Sequence, residues 1–387
     1  MSIVTRFAVV AGLSELLAGC LSGATGPSET SGPDAVAGTG TVSSALGVGD
    51  PGCPEWGCGM NSPTLADGVV FDELDASETQ PDRHGIKIVW AKQAGHEVKL
   101  RIERHFITAI ATDGSGLVFE HGGLVGTLIE LDRNGTRYQL KIDSVQEQAL
   151  TFWAGDTKEF VPFYRILVKL PLDSQFKTPI CMPDRPLEKV WGPVEYSAIA
   201  FTGDRYDPQS KKVVDAEPGT PWFNLACAGT ATAKMHLVRH TNAGAWTAET
   251  WHTGADVLDP GAPFRTDVGQ RQAMLKMYTA DYCCDGLAFT VDGQPLLYDD
   301  EKHWYAPPAG VPRLTEAGDG TLSPTGAAVE ALWTPDGAAC VSALRLVSRS
   351  IVPCLGSSSS LPACTPDLIQ QWVVNPGAMH VISANPP

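Results

Sequence analysis

Apolar and polar residues alternate along Ile86-Lys87-Ile88-Val89-Trp90, Val98-Lys99-Leu100-Arg101-Ile102 and Tyr138-Gln139-Leu140-Lys141-Ile142. A period of two marks strands with one buried face. Asn134-Gly135, between Leu128-Ile129-Glu130-Leu131 and the last of these runs, has the residues that a type I′ hairpin turn requires. That turn accounts for Asn134-Gly135-Thr136 without the glycosylation the triplet would also permit. The stretch from about Gly85 to Leu170 is therefore expected to be an antiparallel sheet folded as a sandwich or small barrel.

The pattern changes past Asp184-Arg185-Pro186. Tyr196 to Phe201 reads as a strand, and Trp222 to Val238 as a helix dense in small residues: Ala226, Cys227, Ala228, Gly229, Ala231 and Ala233. Small residues let another element approach closely, which predicts a central, buried helix. A second helix is expected over Ala273–Thr279 with Met274, Met277 and Tyr278 on one face, ended by Gly286. Leu287-Ala288-Phe289-Thr290-Val291 should then turn at Asp292-Gly293 into Leu296-Leu297-Tyr298. Thr315 to Cys364 reads as short strands, with a turn at Pro335-Asp336-Gly337, and Leu368 to Trp372 as a short helix. The predicted class is α+β, mostly β: an antiparallel β-rich sandwich or barrel module over 63–184, then a disulfide-bonded α+β domain over 185–375 and a tail over 376–387.

The N-terminus alters where this fold is expected to reside. Arg6, the apolar run Phe7 to Leu13 and Leu17-Ala18-Gly19-Cys20 resemble an export signal over 1–20 that ends in a bacterial lipobox, with Glu15 as a departure from the apolar core. Cys20 would be lipidated, and Leu21 after it favours the outer membrane or cell surface. No other apolar run approaches spanning length. Residues 21–62 are expected to be a flexible tether, rich in Gly, Ser, Thr and Pro, with a small loop at Cys53 and Cys58.

At 387 residues and 43% hydrophobic content the chain can build real cores. A net charge of -16 repels phosphate backbones, which argues against a nucleic-acid partner. Of ten cysteines, nine remain beyond Cys20. That density outside the cytosol favours crosslinks over metal. Sequence leaves the connectivity open; loop closure favours Cys53 with Cys58, Cys181 with Cys227, Cys283 with Cys340, and Cys354 with Cys364, leaving Cys284 over.

Ala280-Asp281-Tyr282-Cys283 resembles the signature of the ADYC domain, an uncharacterised family of exported proteins. The likeness extends to Phe201-Thr202-Gly203-Asp204-Arg205-Tyr206-Asp207, to Trp222–Gly229, to Lys234-Met235-His236-Leu237 and to Trp333-Thr334-Pro335-Asp336-Gly337-Ala338-Ala339-Cys340. Cys284 departs from the glycine expected after the signature. The resemblance implies an exported lipoprotein and assigns no catalytic residues.

Three sets of residues could carry chemistry. His236 and His240, four apart, have a spacing that can place two imidazoles on one metal. They lack the glutamate of a zinc protease, and Arg239 beside them disfavours a cation, so no metal or cofactor is expected. Asp281 could be an acid or base in a partly dry site, but its turn supplies backbone amides for a structural role. Cys227 or Cys284, activated by His236, His240 or His252, could be a nucleophile, although an oxidising compartment argues against it. Asp204 to Asp207 reads as a turn with an internal Asp-Arg pair. The expected function is that of a lipid-anchored envelope protein, without enzymatic activity, that binds an envelope protein or polysaccharide or serves structurally. The alternative is an exported hydrolase of envelope polymers with a site near Asp281 and His236.

Overall fold

The computed structural model describes residues 63–153, 159–170, 172–182, 191–214, 221–243, 266–290, 296–300, 315–316, 322–323, 329–345, 353–355, 361–373 and 381–384. The expected signal, Cys20, the tether with Cys53 and Cys58, His252 and the turn at Asp292-Gly293 lie outside them. In chain order the first strands are β1 (Glu73–Asp75), β2 (Ile86–Gln93), β3 (His96–Glu103), β4 (Phe106–Ala111), β5 (Val118–Glu120), β6 (Leu128–Arg133), β7 (Thr136–Thr151), β8 (Phe160–Lys169), β9 (Thr178–Pro179) and β10 (Ala198–Phe201). A small hairpin, β11 (Arg205–Asp207) and β12 (Lys212–Val214), precedes β13 (Trp222–Cys227). Two helices follow, α1 (Ala231–Leu237) and α2 (Val268–Thr279). The remainder comprises β14 (Leu297–Asp300), β15 (Thr315–Glu316), β16 (Leu322–Ser323), β17 (Val329–Thr334), β18 (Gly337–Val341), α3 (Pro366–Val373) and β19 (Val381–Ala384).

The main sheet is antiparallel, in the order β1-β13-β10-β8-β7-β6-β2-β3-β4-β5, with β9 beside β8. The alternation read from sequence sets its inner face: Ile86, Ile88, Val98, Leu100, Leu131, Tyr138, Leu140 and Ile142 are all buried in one core. Register shifts in β7 after Ile142 and Gln146 bend the longest strand, as bulges do. The sheet curls towards closure. The Thr202 amide past β10 donates to the Arg104 carbonyl at the β3–β4 turn (2.9 Å), and the Ile107 amide of β4 donates to Tyr164 Oη of β8 (3.0 Å).

Strands β8, β10 and β13 are covered on both faces. Tyr164, Ile166, Ala198, Ala200, Phe223 and Leu225 point into the barrel, whereas Phe163, Ile199, Phe201 and Ala226 point into a second core with α1 and α2. The sheet therefore continues through the change of pattern at Asp184-Arg185-Pro186.

Several expectations are corrected. Trp222–Cys227 is a strand, because its backbone is paired on both sides, by β1 and by β10. Only Ala231–Leu237 is helical, started by Thr230, whose Oγ1 accepts from the Ala233 amide (3.4 Å). That short helix is buried throughout and packs on α2, as the small residues implied. Helix α2 is longer than expected, is capped by Asp267, and is buried all round from Gln270 to Thr279 rather than on one face. Leu287–Thr290 is not a strand, and Leu297–Asp300 pairs instead with β19, which also pairs with β17. The segment expected as a tail thus supplies an inner strand of the second sheet, ordered β14-β19-β17-β18.

Candidate functional site

Helix α2 ends at Ala280, which adopts the left-handed conformation (φ 54°), so that Ala280 and Asp281 donate their amides to Met277 and Lys276. Ala280 therefore makes the helix stop that was expected of Gly286, whose role is close approach. A Cβ at Gly286 would collide with the Gln209 carbonyl oxygen. Asp281 is fully buried. Its oxygens accept the amides of Asp285 and Gly286 (both 3.2 Å) and the ammonium of Lys276 (2.5 Å). Lys276 also donates to the Ser210 carbonyl (3.0 Å), which ties the turn to the β11–β12 hairpin. Burial raises the Asp281 carboxyl above its ordinary range, against the lowering effect of Lys276 and the Gly286 amide. The amide contacts agree with the structural role read from the turn; Lys276 as a partner was not foreseen.

Tyr282 is the hub of a second buried set. Its hydroxyl donates to Glu330 Oε1 (2.6 Å) and accepts the Arg345 amide (2.8 Å), while its ring lies against Trp333 and Phe289. Glu330 also meets Arg345 Nε (3.3 Å) and accepts from Ser383 Oγ (2.8 Å), which in turn accepts from Trp333 Nε1 (2.8 Å). Burial and the neighbouring Glu330 hold the phenol far above its ordinary pKa. The signature's last residue, Cys283, bonds to Cys354, and Cys340 bonds to Cys364. Loop length had favoured Cys283 with Cys340 and Cys354 with Cys364. The actual exchange arises from the two sides of β18: Ala338 meets the α2 turn through Tyr282, whereas Cys340 packs with Leu332 and Ile369 of α3. Cys181 bonds to Cys227 as expected, so Cys227 is not a thiolate nucleophile. Cys284 is half-exposed at φ 55° and belongs to none of these three disulfides.

The Gly203 to Asp207 run acts outward rather than as an internal pair. Asp204 forms a fully buried bidentate ion pair with Arg271 of α2, and Arg205 a bidentate pair with Glu73 of β1 (2.8 and 2.6 Å). Arg205 also lies over the Trp222 ring (4.0 Å). Gly203 is required because a Cβ there would meet the Thr241 carbonyl, to which Asp204 donates its amide (2.9 Å). Arg271 and Glu73 escaped sequence reading because their partners lie more than sixty positions away.

His236 and His240 do not share a helix face, since α1 ends at Leu237 and Arg239 turns left-handed (φ 63°). His236 pairs through Nδ1 with Thr241 Oγ1 (2.9 Å) and stacks on Phe201; His240 Nδ1 meets the Val238 carbonyl (2.7 Å). Burial holds His236 well below the ordinary histidine pKa, so it is neutral. Arg239 is buried over Phe152 and paired with Glu159 (3.4 Å). Among the described residues no group of three metal-ligating side chains is poised for an ion. A cleft of about 460 Å3 lies elsewhere, between Ala76-Ser77, Pro221 and residues 100–103 of β3, and holds none of the candidate residues.

Fold and site together define a disulfide-bonded, mostly β protein of the α+β class whose signature residues are internal struts. The chain belongs to the ADYC domain family: the family model matches residues 121–347. No curated protein and no solved structure matches the chain.

Proposed function

We propose that the protein is a lipid-anchored component of the cell envelope whose ADYC domain is a binding or structural body rather than a catalytic centre. The reading rests on the use made of the signature. Ala280 caps a helix through its backbone, Asp281 ties Lys276 to a turn, Tyr282 joins β17 to the α2 exit, and Cys283 crosslinks, so all four residues are engaged with the protein's own groups. Asp281 bonds to Lys276, Asp285 and Gly286 and His236 to Thr241, whereas a hydrolase of the kind considered above would turn both towards one cleft. Three disulfides fit an oxidising compartment. No helix among the described residues is long and apolar enough to cross a membrane; the anchor in this proposal is Cys20, on the strength of the lipobox-like run Leu17-Ala18-Gly19-Cys20.

The test is metabolic labelling with a palmitate analogue, followed by fractionation of the envelope. The wild-type chain should take up label and remain with membranes, and Cys20→Ser should lose both properties. Unlabelled wild-type protein released as a free species would overturn the anchor. Release of sugar or peptide fragments from envelope polymer by the purified protein, abolished in Asp281→Asn, would restore the hydrolase reading.

A further inference from the structure

Asp72, immediately before β1, is 1% exposed, and neither carboxylate oxygen receives a hydrogen bond. Its contact with a basic group is with the imidazole of His84, Nε2 to Oδ1 3.8 Å. The surrounding charges are accounted for. Arg83 of the same loop reaches Glu73 (3.6 Å) and Asp207 (3.3 Å). Glu73, beside Asp72 on its own strand, is clasped by Arg205 of β11, and Arg133 of β6 faces His84. Asp82 Oδ1 accepts the amides of His84 and Ile86 (2.8 and 2.7 Å), leaving a buried Oδ2 without a donor. An ionised carboxylate without donors is costly to bury, and protonation removes that cost.

We propose that the Asp72–His84 contact is a proton-operated latch: with one proton held between the two side chains β1 stays docked on the sheet, and loss of that proton leaves a bare buried carboxylate that loosens it. The position suits such a device. β1 lies at the edge of the sheet, bonded on one side to β13, and the Leu225 amide donates to the Asp72 carbonyl (2.9 Å), so opening uncovers the outer edge of β13. Burial raises the Asp72 carboxyl to about 7 against the lowering effect of Arg83, with Glu73 and Asp82 adding to the rise, and burial with Arg83 lowers His84. In the unfolded chain Asp72 releases its proton near the ordinary value of 3.8. The folded form thus binds the proton more tightly, and the stability this confers falls as pH rises from about 4 to about 7, then levels off.

Hydrogen exchange of the peptide spanning Phe71–Asp75, corrected for intrinsic rates, reads the opening directly. Between pH 5 and pH 8 the opening equilibrium of the wild type should rise about 100-fold relative to Asp72→Asn, which mimics the protonated acid. A peptide from β6 should show no such difference. Identical profiles for the two proteins, or an equal change in β6, would overturn the latch. Should Asp72→Asn not fold, the carbon-13 carboxyl titration of Asp72 in the wild type decides: a midpoint near 7 supports the proposal and one below 5 refutes it.

Discussion

Tyr282 shows how much one side chain of the signature does. Its hydroxyl is at once donor to Glu330 and acceptor from the Arg345 amide, in a place that water does not reach. Tyr282→Phe keeps the ring on Trp333 but leaves both partners short of a bond. Unpaired buried groups cost about 1–3 kcal/mol, so the urea midpoint should fall accordingly with the slope unchanged. A midpoint equal to wild type would show that Arg345 and Ser383 satisfy Glu330 without the phenol. The same logic explains why the Asp281 carboxylate reads as candidate chemistry: polar residues packed densely in an apolar run mark either a reactive site or an internal network. The local sequence shows the density and not the partner.

At the level of elements, the polar residues of α2 are its joints. Arg271 clasps Asp204, Gln272 accepts the Val213 amide and donates to the Lys211 carbonyl (both 2.8 Å), and Lys276 holds Asp281. The helix therefore binds β11, β12 and its own exit turn through charge and amide contacts as well as through Met274 and Met277. Removing one member of the buried pair strands the other. Asp204→Leu or Arg271→Met alone should cost about 3–5 kcal/mol in chemical denaturation, and the double replacement should recover much of it. Additive losses would mean that the two residues act independently.

Legibility differed between elements for physical reasons. The strands Ile86–Gln93 and His96–Glu103 were plain because one face is wet and the alternation survives. Trp222–Cys227 was misread because a strand covered on both faces loses its period of two, and alanine then speaks for helix. Gly229-Thr230, a break followed by a capping residue, was the available sign that the helix begins later. The length of α2 was underestimated because its polar residues are buried, which removes the apolar stripe that periodicity detects. The structural reading of Asp281 rested on adjacent amides and was accessible; the Tyr282–Glu330–Ser383 chain spans a hundred residues and was not.

For the whole molecule, two crosslinks fasten the C-terminal strands and α3 to the rest. Cys283–Cys354 anchors the α2 turn to the segment after β18, and Cys340–Cys364 ties β18 to the start of α3. Each encloses a loop whose freedom in the unfolded chain is reduced, so removal of either pair by double serine replacement should cost about 2–5 kcal/mol. Peptide mapping without reductant should recover these two linkages; recovery of Cys283 with Cys340 would contradict the fold of this region. Compartment matters to the same extent, since a reducing medium would strip both restraints together.

The Cys181–Cys227 bond reaches across the main sheet, from the second residue past β9 to the last residue of β13. A protease that severed the backbone anywhere between them would yield two pieces still held together covalently, migrating as one on a gel until a thiol is added. Nicking there need not disperse the molecule, which would stay cut yet whole.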